Sequence, residues 1–303
     1  MSIIERALNK LQKSDAAGNP ENSVATRLPR PPGSRRDSTE PLAAPRGGPS
    51  RPREPRARTV TVELNVKSLR EQGAMPPEEF ANALTDQFRR IKWPILETRI
   101  ETQGGSRLAN RLMITSSVAS EGKTFTSLNM ALSMAREKDY SVLLVDADVA
   151  KRHTTDLLSL GDQPGLTDAL ADSTIDVESL VAATSVPGLC VLPAGRRTSS
   201  APELFASHRM VEVIEALGSY DPQRVVLFDT SPLLVTNESQ VLSKIIDQIV
   251  LVVRAEYTTQ PMVLEAIGLL DSTKTVRCIL NQARASRMTE YYYGYGYHQN
   301  GQE

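Results

Sequence analysis

A short turn of small and charged residues, SVASEGKT, carries the side chains that bind phosphate groups. Gly122 lets the backbone approach an anion, Lys123 can reach the β- and γ-phosphate oxygens, and the Thr124 hydroxyl can bind Mg²⁺. Backbone N–H groups of such a turn and the positive end of the following helix both attract anions. The turn therefore predicts a nucleotide phosphate site, although Ser117 stands where the common pattern begins with Gly.

Aspartates follow two apolar segments further along the chain. SVLLVDAD ends in Asp146 and Asp148, and RVVLFDTS carries Asp229 near its end. Continuous Val and Leu runs are typical of strands buried on both faces of a parallel sheet, and such sheets bind ligands at the carboxyl ends of their strands. Each aspartate could also cap a helix. Their coincidence with the phosphate turn predicts a Mg·nucleotide site in which Thr124, Asp146 and Asp229 hold the metal.

These groups need a framework of strands and helices to position them. Apolar runs predict strands, and helical spacing of apolar residues predicts the helices between them. The further predicted strands are 59–66, 112–114, 189–192, 248–253 and 276–280, and the predicted helices are 76–96 with a bend at Pro94, a helix from Lys123, 202–217, 238–244 and 260–270. This alternation implies an α/β fold of the P-loop NTPase type, with a mostly parallel sheet and helices on both faces.

Composition divides the chain of 303 residues into four segments. Residues 1–18 contain a short amphipathic helix pattern, which could dock on a partner or a membrane surface or could be a frayed terminus. Residues 19–58 are rich in Pro and Arg and are expected to be disordered, whereas 59–283 should form the folded domain. Residues 284–303 are expected to be a flexible segment.

Charge, cysteine content and hydropathy restrict the classes of function. The net charge of −1 gives no sign of nucleic-acid binding. The two cysteines, Cys190 and Cys278, are expected to be reduced core thiols. No apolar run is long enough to span a bilayer, so a membrane would be reached through something else.

Two further clusters could serve function. Asp86, Arg89 and Lys92 recur at i, i+3 and i+6 of a predicted helix and should share one face, either as a solvated surface or as an oligomer contact. The segment after residue 284 contains a cluster of tyrosines that lacks apolar periodicity. It could be a sticky low-complexity end, an aromatic stacking strip or a set of hydroxyl substrates. These are Tyr291, Tyr292, Tyr293, Tyr295 and Tyr297.

Taken together, the motifs resemble those of the bacterial tyrosine kinases of exopolysaccharide assembly, in particular the tyrosine autokinases associated with exosortase-linked loci. TSSVASEGKT is similar to that family's phosphate loop, LLVDADVA to its second motif and VVLFDTSPLL to its third. MSIIERALNKL at the N-terminus, GLTDAL, LPAG and the tyrosine cluster are similar as well. The resemblance covers most of the chain.

The resemblance implies an ATP-dependent kinase that uses Mg²⁺ and phosphorylates the tyrosine cluster of a neighbouring subunit. It also implies a ring-shaped homo-oligomer on a membrane-anchored polysaccharide chain-length partner, at the inner face of the cell membrane. Catalysis is expected from Lys123, Asp146, Asp148 and Asp229, with Asp148 or Asp146 accepting the tyrosine proton. Nucleotide contacts are expected from Ser117, Ala119, Ser120, Glu121, Gly122, Lys123, Thr124, Phe125 and Asn281.

Departures from the family pattern concern the oligomer contact and the choice between a kinase and two alternative functions. The triplet of Asp86, Arg89 and Lys92 keeps the charge signs of the family's contact motif, Glu-x-x-Arg-x-x-Arg, but not its residues. Val118 stands where related partitioning ATPases carry a signature lysine, which argues against a switch ATPase without a protein substrate. The other alternative is a non-catalytic nucleotide-binding regulator of polysaccharide export, which would not need the tyrosine cluster.

Overall fold

The computed structural model describes residues 60–102, 105–161 and 163–283, with side chains left out at 99–106. The predicted N-terminal helix, the Pro- and Arg-rich segment and the tyrosine cluster lie outside the described residues. Within the described ranges, no helix combines the length and the hydropathy needed to cross a membrane.

The described part of the chain contains ten strands, nine α-helices and two short 3₁₀ helices, Glu78–Phe80 and Val177–Leu180. The strands are β1 (Thr61–Val62), β2 (Arg99–Thr102), β3 (Gly105–Leu108), β4 (Arg111–Ser116), β5 (Ser141–Asp146), β6 (Ala182–Thr184), β7 (Leu189–Leu192), β8 (Arg224–Asp229), β9 (Gln248–Arg254) and β10 (Thr275–Asn281). The helices are α1 (Val66–Glu71), α2 (Ala81–Leu96), α3 (Lys123–Met134), α4 (His153–Leu157), α5 (Leu166–Ala171), α6 (Ala201–Phe205), α7 (His208–Ser219), α8 (Asn237–Ile245) and α9 (Gln260–Gly268).

Eight strands form one sheet in the order β1-β6-β7-β5-β8-β4-β9-β10. Every neighbouring pair is parallel except β6 and β7, so the predicted mostly parallel α/β sheet is confirmed. Strands β5, β8 and β4 lie side by side, and Asp146 pairs in register with Asp229, as Asp229 does with Ile114. This order brings the turn after β4 and the ends of β5 and β8 to one edge of the sheet.

Helices cover both faces of the sheet and bury its strands. Side chains alternate along a strand, so Leu112 and Ile114 of β4 enter a core shared with α2 and α3, whereas Met113 enters the opposite core with α7, α8 and α9. All three side chains are fully buried. Burial of an apolar side chain of this size contributes about 1.5–3 kcal/mol, which fixes the central strands and the turns that leave them.

Several predicted elements have different bounds in the structure. In the described part of the strand predicted at 59–66, the strand covers Thr61–Val62. It stops there because Asn65 accepts a hydrogen bond from the Ser68 N–H and caps α1, which begins at Val66. The helix predicted at 202–217 is two helices, since α6 and α7 are interrupted at Ala206 and Ser207. The helix predicted from residue 76 begins as a 3₁₀ turn at Glu78–Phe80.

Lys92 does not share a solvated face with Asp86 and Arg89, which corrects the sequence prediction. Its side chain is 3% exposed, and its Nζ donates to the Ser133 carbonyl at 2.7 Å and pairs with the Glu137 carboxylate. Asp86 and Arg89 are exposed and 3.4 Å apart. The Lys92 ammonium therefore joins α2 to the end of α3, and only the other two charges are available at the surface.

Candidate active site

The phosphate turn connects β4 to α3 and contains two residues with left-handed backbone. Ser120 has φ = 65° and Gly122 has φ = 92°. A Cβ atom at Gly122 would lie 2.0 Å from the Asn281 Nδ2, and this Nδ2 donates to the Glu121 carbonyl at 2.9 Å. Glycine is therefore required at 122 for both its backbone angle and its closeness to Asn281. The predicted nucleotide contact Asn281 thus lies directly against the turn.

Lys123 opens α3 at the end of the turn. Its side chain is 7% exposed. Burial lowers the pKa of Lys123, while the charges of Asp229 and Asp148 act in the opposite direction. The structure thus brings together the lysine and carboxylates that the sequence predicted for the site, and Lys123 can neutralise negative charge next to the turn.

Asp146 and Asp229 end the adjacent strands β5 and β8 and are both fully buried. The Asp146 Oδ2 accepts hydrogen bonds from the N–H and the hydroxyl of Thr155, each at 2.7 Å. The Asp229 carboxylate accepts from Ser127 at 3.0 Å and from Thr154 at 2.8 Å. The two carboxylates are therefore held in place by hydrogen bonds from hydroxyl groups and from the Thr155 N–H.

The burial of Asp146 and Asp229 disfavours the charged form of both carboxylates. Burial, followed by the charge of Asp229, raises the pKa of Asp146 to about 7. Burial also raises the pKa of Asp229, although hydrogen bonds from Thr154, Thr124 and Ser127 and the charge of Lys123 oppose the rise. Two neighbouring buried carboxylates repel each other, and a cation placed between them would relieve both effects.

The residues present fit a divalent metal bound together with a nucleotide. The Asp146 Oδ1 is buried without a hydrogen-bond partner, and so is the Ser117 Oγ of the turn. Within 60–102, 105–161 and 163–283, no group of three His, Cys, Asp or Glu side chains could hold a metal alone. Thr124, whose hydroxyl reaches Asp229, is a further oxygen ligand, and Mg²⁺ usually takes its remaining ligands from phosphate and water.

Asp148 lies just beyond the end of β5 and is 5% exposed. One of its oxygens, Oδ1, accepts a hydrogen bond from the Ser231 hydroxyl at 2.7 Å. Ser231 follows β8, so the bond connects the two loops that carry the aspartates. This arrangement fixes the orientation of a carboxylate at the mouth of the site.

Four hydroxyl residues of the site were not predicted from the sequence. Thr154, Thr155 and Ser127 hold the buried carboxylates and Ser231 holds Asp148. The one available signal was the pair Thr154-Thr155 shortly after Asp148, because adjacent threonines at a helix start can donate to nearby acids. A hydroxyl side chain alone is too common in loops for sequence to identify it.

Other predicted site residues have different orientations. The Glu121 side chain is fully buried and bonded within the protein, so the nucleotide contact expected at this position would come from its backbone N–H. Phe125 is half-buried and packs against the core under α3. Ala119 and Ser120 lie in the turn itself, with Ser120 exposed.

GLTDAL and LPAG contact each other beside the site. The Gly165 N–H and the Arg196 N–H both donate to the Asp168 Oδ2, at 2.9 and 3.2 Å. The Thr167 hydroxyl donates to the Ala194 carbonyl at 3.0 Å, and the Ala194 N–H donates to the Thr155 hydroxyl at 2.9 Å. The two motifs therefore position the Thr155 hydroxyl, which in turn donates a hydrogen bond to the Asp146 carboxylate.

Comparison with known proteins gives consistent matches. The family model described as AAA domain matches residues 114–283. The tyrosine-protein kinase YwqD of Bacillus subtilis is 33% identical over 239 residues, which are 78% of this chain and 97% of YwqD. The putative tyrosine-protein kinase CapB of Staphylococcus aureus is 30% identical over 218 residues, 71% of this chain and 91% of CapB.

Solved structures of tyrosine kinase domains are also similar to this chain. The crystal structure of the VpsO kinase domain has a TM-score of 0.55 and 29% identity, and the match covers 72% of this chain and 98% of that domain. The kinase domain of the Escherichia coli tyrosine kinase ETK has a TM-score of 0.54 over 76% of this chain and 93% of its own, and at 21% identity it supports the fold alone.

Proposed function

Since the chain belongs to the family of bacterial tyrosine-protein kinases, with an AAA-type nucleotide-binding domain, we propose that it phosphorylates tyrosines of its own C-terminal segment in neighbouring subunits. The observation that carries this proposal is the convergence of Lys123, Asp146, Asp148 and Asp229 at the phosphate turn. The acceptor side chains would be Tyr291, Tyr292, Tyr293, Tyr295 and Tyr297.

Each charged residue has a distinct part in this proposal. Bound Mg·ATP supplies the phosphoryl group and the cationic charge that phosphoryl transfer needs. Lys123 neutralises negative charge on the phosphate oxygens, and the buried position of its ammonium strengthens that interaction. Thr124, Asp146 and Asp229 would hold the metal. The hydrogen bonds from Thr155, Thr154 and Ser127 keep the two carboxylates oriented.

Asp148 is the proposed acceptor of the tyrosine proton. A phenol has a pKa of about 10 and is protonated at neutral pH, so a nearby carboxylate assists its attack. Asp146 suits this role less well, because its carboxylate is fully buried and its Oδ2 is occupied by Thr155. Asp148 lies nearer the surface, and the Ser231 hydroxyl orients it.

The names of the relatives support a proposal for the cellular role. Their names identify them as tyrosine kinases, one of them in a cps region of Klebsiella pneumoniae, and the sequence motifs resemble those of exopolysaccharide assembly. We infer regulation of polysaccharide synthesis and export by a ring of subunits at the inner face of the membrane, on a membrane-anchored chain-length partner. Exposed Asp86 and Arg89 are candidates for the ring contact.

A mixing experiment tests phosphorylation between subunits. A full-length Lys123→Met variant serves as acceptor, and a variant with the five clustered tyrosines changed to Phe serves as donor. With Mg·ATP, the proposal expects phosphate on the acceptor, detected as mass additions of about 80 Da, and none on either variant alone. Phosphorylation of the wild-type chain without any transfer in the mixture would contradict transfer between subunits. ATP hydrolysis with no phosphotyrosine would favour the switch ATPase.

A further inference from the structure

Glu121 places a buried carboxylate inside a turn whose ligand is an anion. The residue precedes Gly122, and its side chain has no exposed surface. Its Oε2 accepts the Val118 N–H at 2.6 Å. The ion pairs found among the described residues do not include Glu121. An acid in this position repels the phosphates of a ligand, so its presence calls for a compensating role.

The other oxygen of Glu121 reaches a different part of the site. Its Oε1 accepts hydrogen bonds from the Arg254 N–H at 3.3 Å and from the Thr258 hydroxyl. Arg254 is the last residue of β9 and Thr258 lies in the loop that follows. One side chain thus connects both ends of the phosphate turn to the loop after the neighbouring strand.

The backbone of Glu121 makes a third connection. Its carbonyl oxygen accepts from the Asn281 Nδ2 at 2.9 Å, and Asn281 ends β10, the strand beyond β9. The phosphate turn, the loop after β9 and the end of β10 therefore meet at Glu121. Because each buried hydrogen bond restricts the turn, these contacts hold it in one shape before any ligand arrives.

We propose that Glu121 is a positioning residue that holds the phosphate turn in its nucleotide-binding shape and links it to the Arg254–Thr258 loop. This inference rests on the proposed function of the site and concerns how that site is kept ready for ATP. A turn that is correctly shaped for only a fraction of the time has its apparent affinity reduced by that fraction. Loss of the link should therefore raise the KM for ATP more than it lowers kcat.

Thr258→Val tests the link without touching the turn, because it removes the hydroxyl donor and keeps the Val118 bond to Glu121. The expected result is a KM for ATP and a Kd for ADP raised about three- to tenfold, with kcat within about twofold. Thr258→Ser, which keeps the hydroxyl, should restore both constants. Thr85→Val is the matched control, since the Thr85 hydroxyl bonds the Ala81 carbonyl within α2.

Glu121→Gln provides the second arm. A glutamine has one oxygen that can accept, so it cannot replace the bonds on both carboxylate oxygens. Its effect on ADP affinity should exceed that of Thr258→Val, and the double variant should lose less affinity than the product of the two single losses. The proposal would be overturned by an unchanged ADP affinity in Thr258→Val. It would also be overturned if the two losses multiply in the double variant, or if Thr258→Ser does not restore ADP binding. Binding of ADP without kinase activity would reject the proposed function and leave this inference standing.

Discussion

At the scale of single residues, the site is defined by carboxylates that the protein buries side by side. Asp146 and Asp229 are fully buried at the ends of adjacent strands, and burial raises the pKa of both. A cation bound between them, as proposed for Mg²⁺, would recover the free energy lost by keeping these charges out of water. A protein that stores such a cost at its active site should become more stable when one of the acids is removed.

Asp146→Asn should stabilise the nucleotide-free protein at alkaline pH. The pKa of Asp146 rises from 3.8 to about 7 on folding, so between these values the folded chain holds a proton that the unfolded chain has lost. The contribution of this group to stability therefore falls as the pH rises from about 4 to about 7, and its full cost is present above about pH 7. Thermal unfolding should show a gain on the order of 1–4 kcal/mol at pH 8.

That gain should disappear as the pH is lowered, because protonated aspartate and asparagine are both neutral. Asp139→Asn at an exposed position is the control and should change the free energy of unfolding by less than about 0.5 kcal/mol at either pH. If Asp146→Asn is less stable than the wild type at pH 8, the claim that the buried charge of Asp146 destabilises the protein is contradicted.

At the scale of secondary-structure elements, the segments at the ends of the strands position the side chains of the site. GLTDAL begins α5, LPAG starts at Leu192, the last residue of β7, and the two segments pack backbone to backbone. A Cβ atom at Gly165 would lie 2.0 Å from the Pro193 carbonyl oxygen. This contact leads through Ala194 and Thr155 to Asp146, so it positions the site from outside the phosphate turn.

Gly165→Ala should therefore destabilise the protein by about 2–4 kcal/mol, because neither backbone can yield without breaking the hydrogen bonds around it. Gly268→Ala is the matched control. It lies at the end of α9 with no atom within 4 Å of an added Cβ, and it should be neutral or stabilising by up to about 1 kcal/mol. Urea unfolding of both variants measures the difference, and equal midpoints would refute the packing argument.

Lys92 gives a second prediction at this scale. Lys92→Ala leaves the buried Ser133 carbonyl and the Glu137 carboxylate without their ammonium partner, so the free energy of unfolding should fall by about 1–3 kcal/mol. Arg89→Ala, at a side chain that is 63% exposed, should cost less than about 0.5 kcal/mol. An unchanged melting temperature together with a weaker oligomer would instead assign Lys92 to a subunit contact.

At the scale of the whole molecule, sequence predicted the sheet well because its central strands are continuous apolar runs. These runs predicted β4, β5 and β8, and the aspartates that end β5 and β8 were expected to meet at one edge of the sheet. β6, which pairs antiparallel with β7, and the antiparallel pair of β2 and β3 escaped prediction, since short strands without apolar runs are fixed by tertiary contacts. Lys92 was misplaced for a related reason: helical spacing gives a face, but only packing decides whether that face is buried.

The tyrosine cluster gives a prediction for the assembly. Each phosphotyrosine carries about −1.5 to −2 charge at neutral pH, so phosphorylated C-terminal segments brought together in the proposed ring would repel each other. Changing the five clustered tyrosines to Glu should therefore shift the oligomer towards monomer on dilution, whereas changing them to Phe should not. Mass photometry over a dilution series can compare the two. An unchanged oligomer in the Glu variant would reject phosphorylation as the signal for disassembly.

Intact-mass spectrometry of the full-length protein incubated with Mg·ATP tests the central claim most directly. The wild type and Lys67→Met, a change on the exposed surface of α1, should show successive additions of about 80 Da. Lys123→Met and a chain that ends after Met288 should show none, because one lacks the lysine proposed to bind phosphate and the other lacks the proposed acceptors. Mass additions that persist in Lys123→Met would contradict the assignment of this site as the kinase centre.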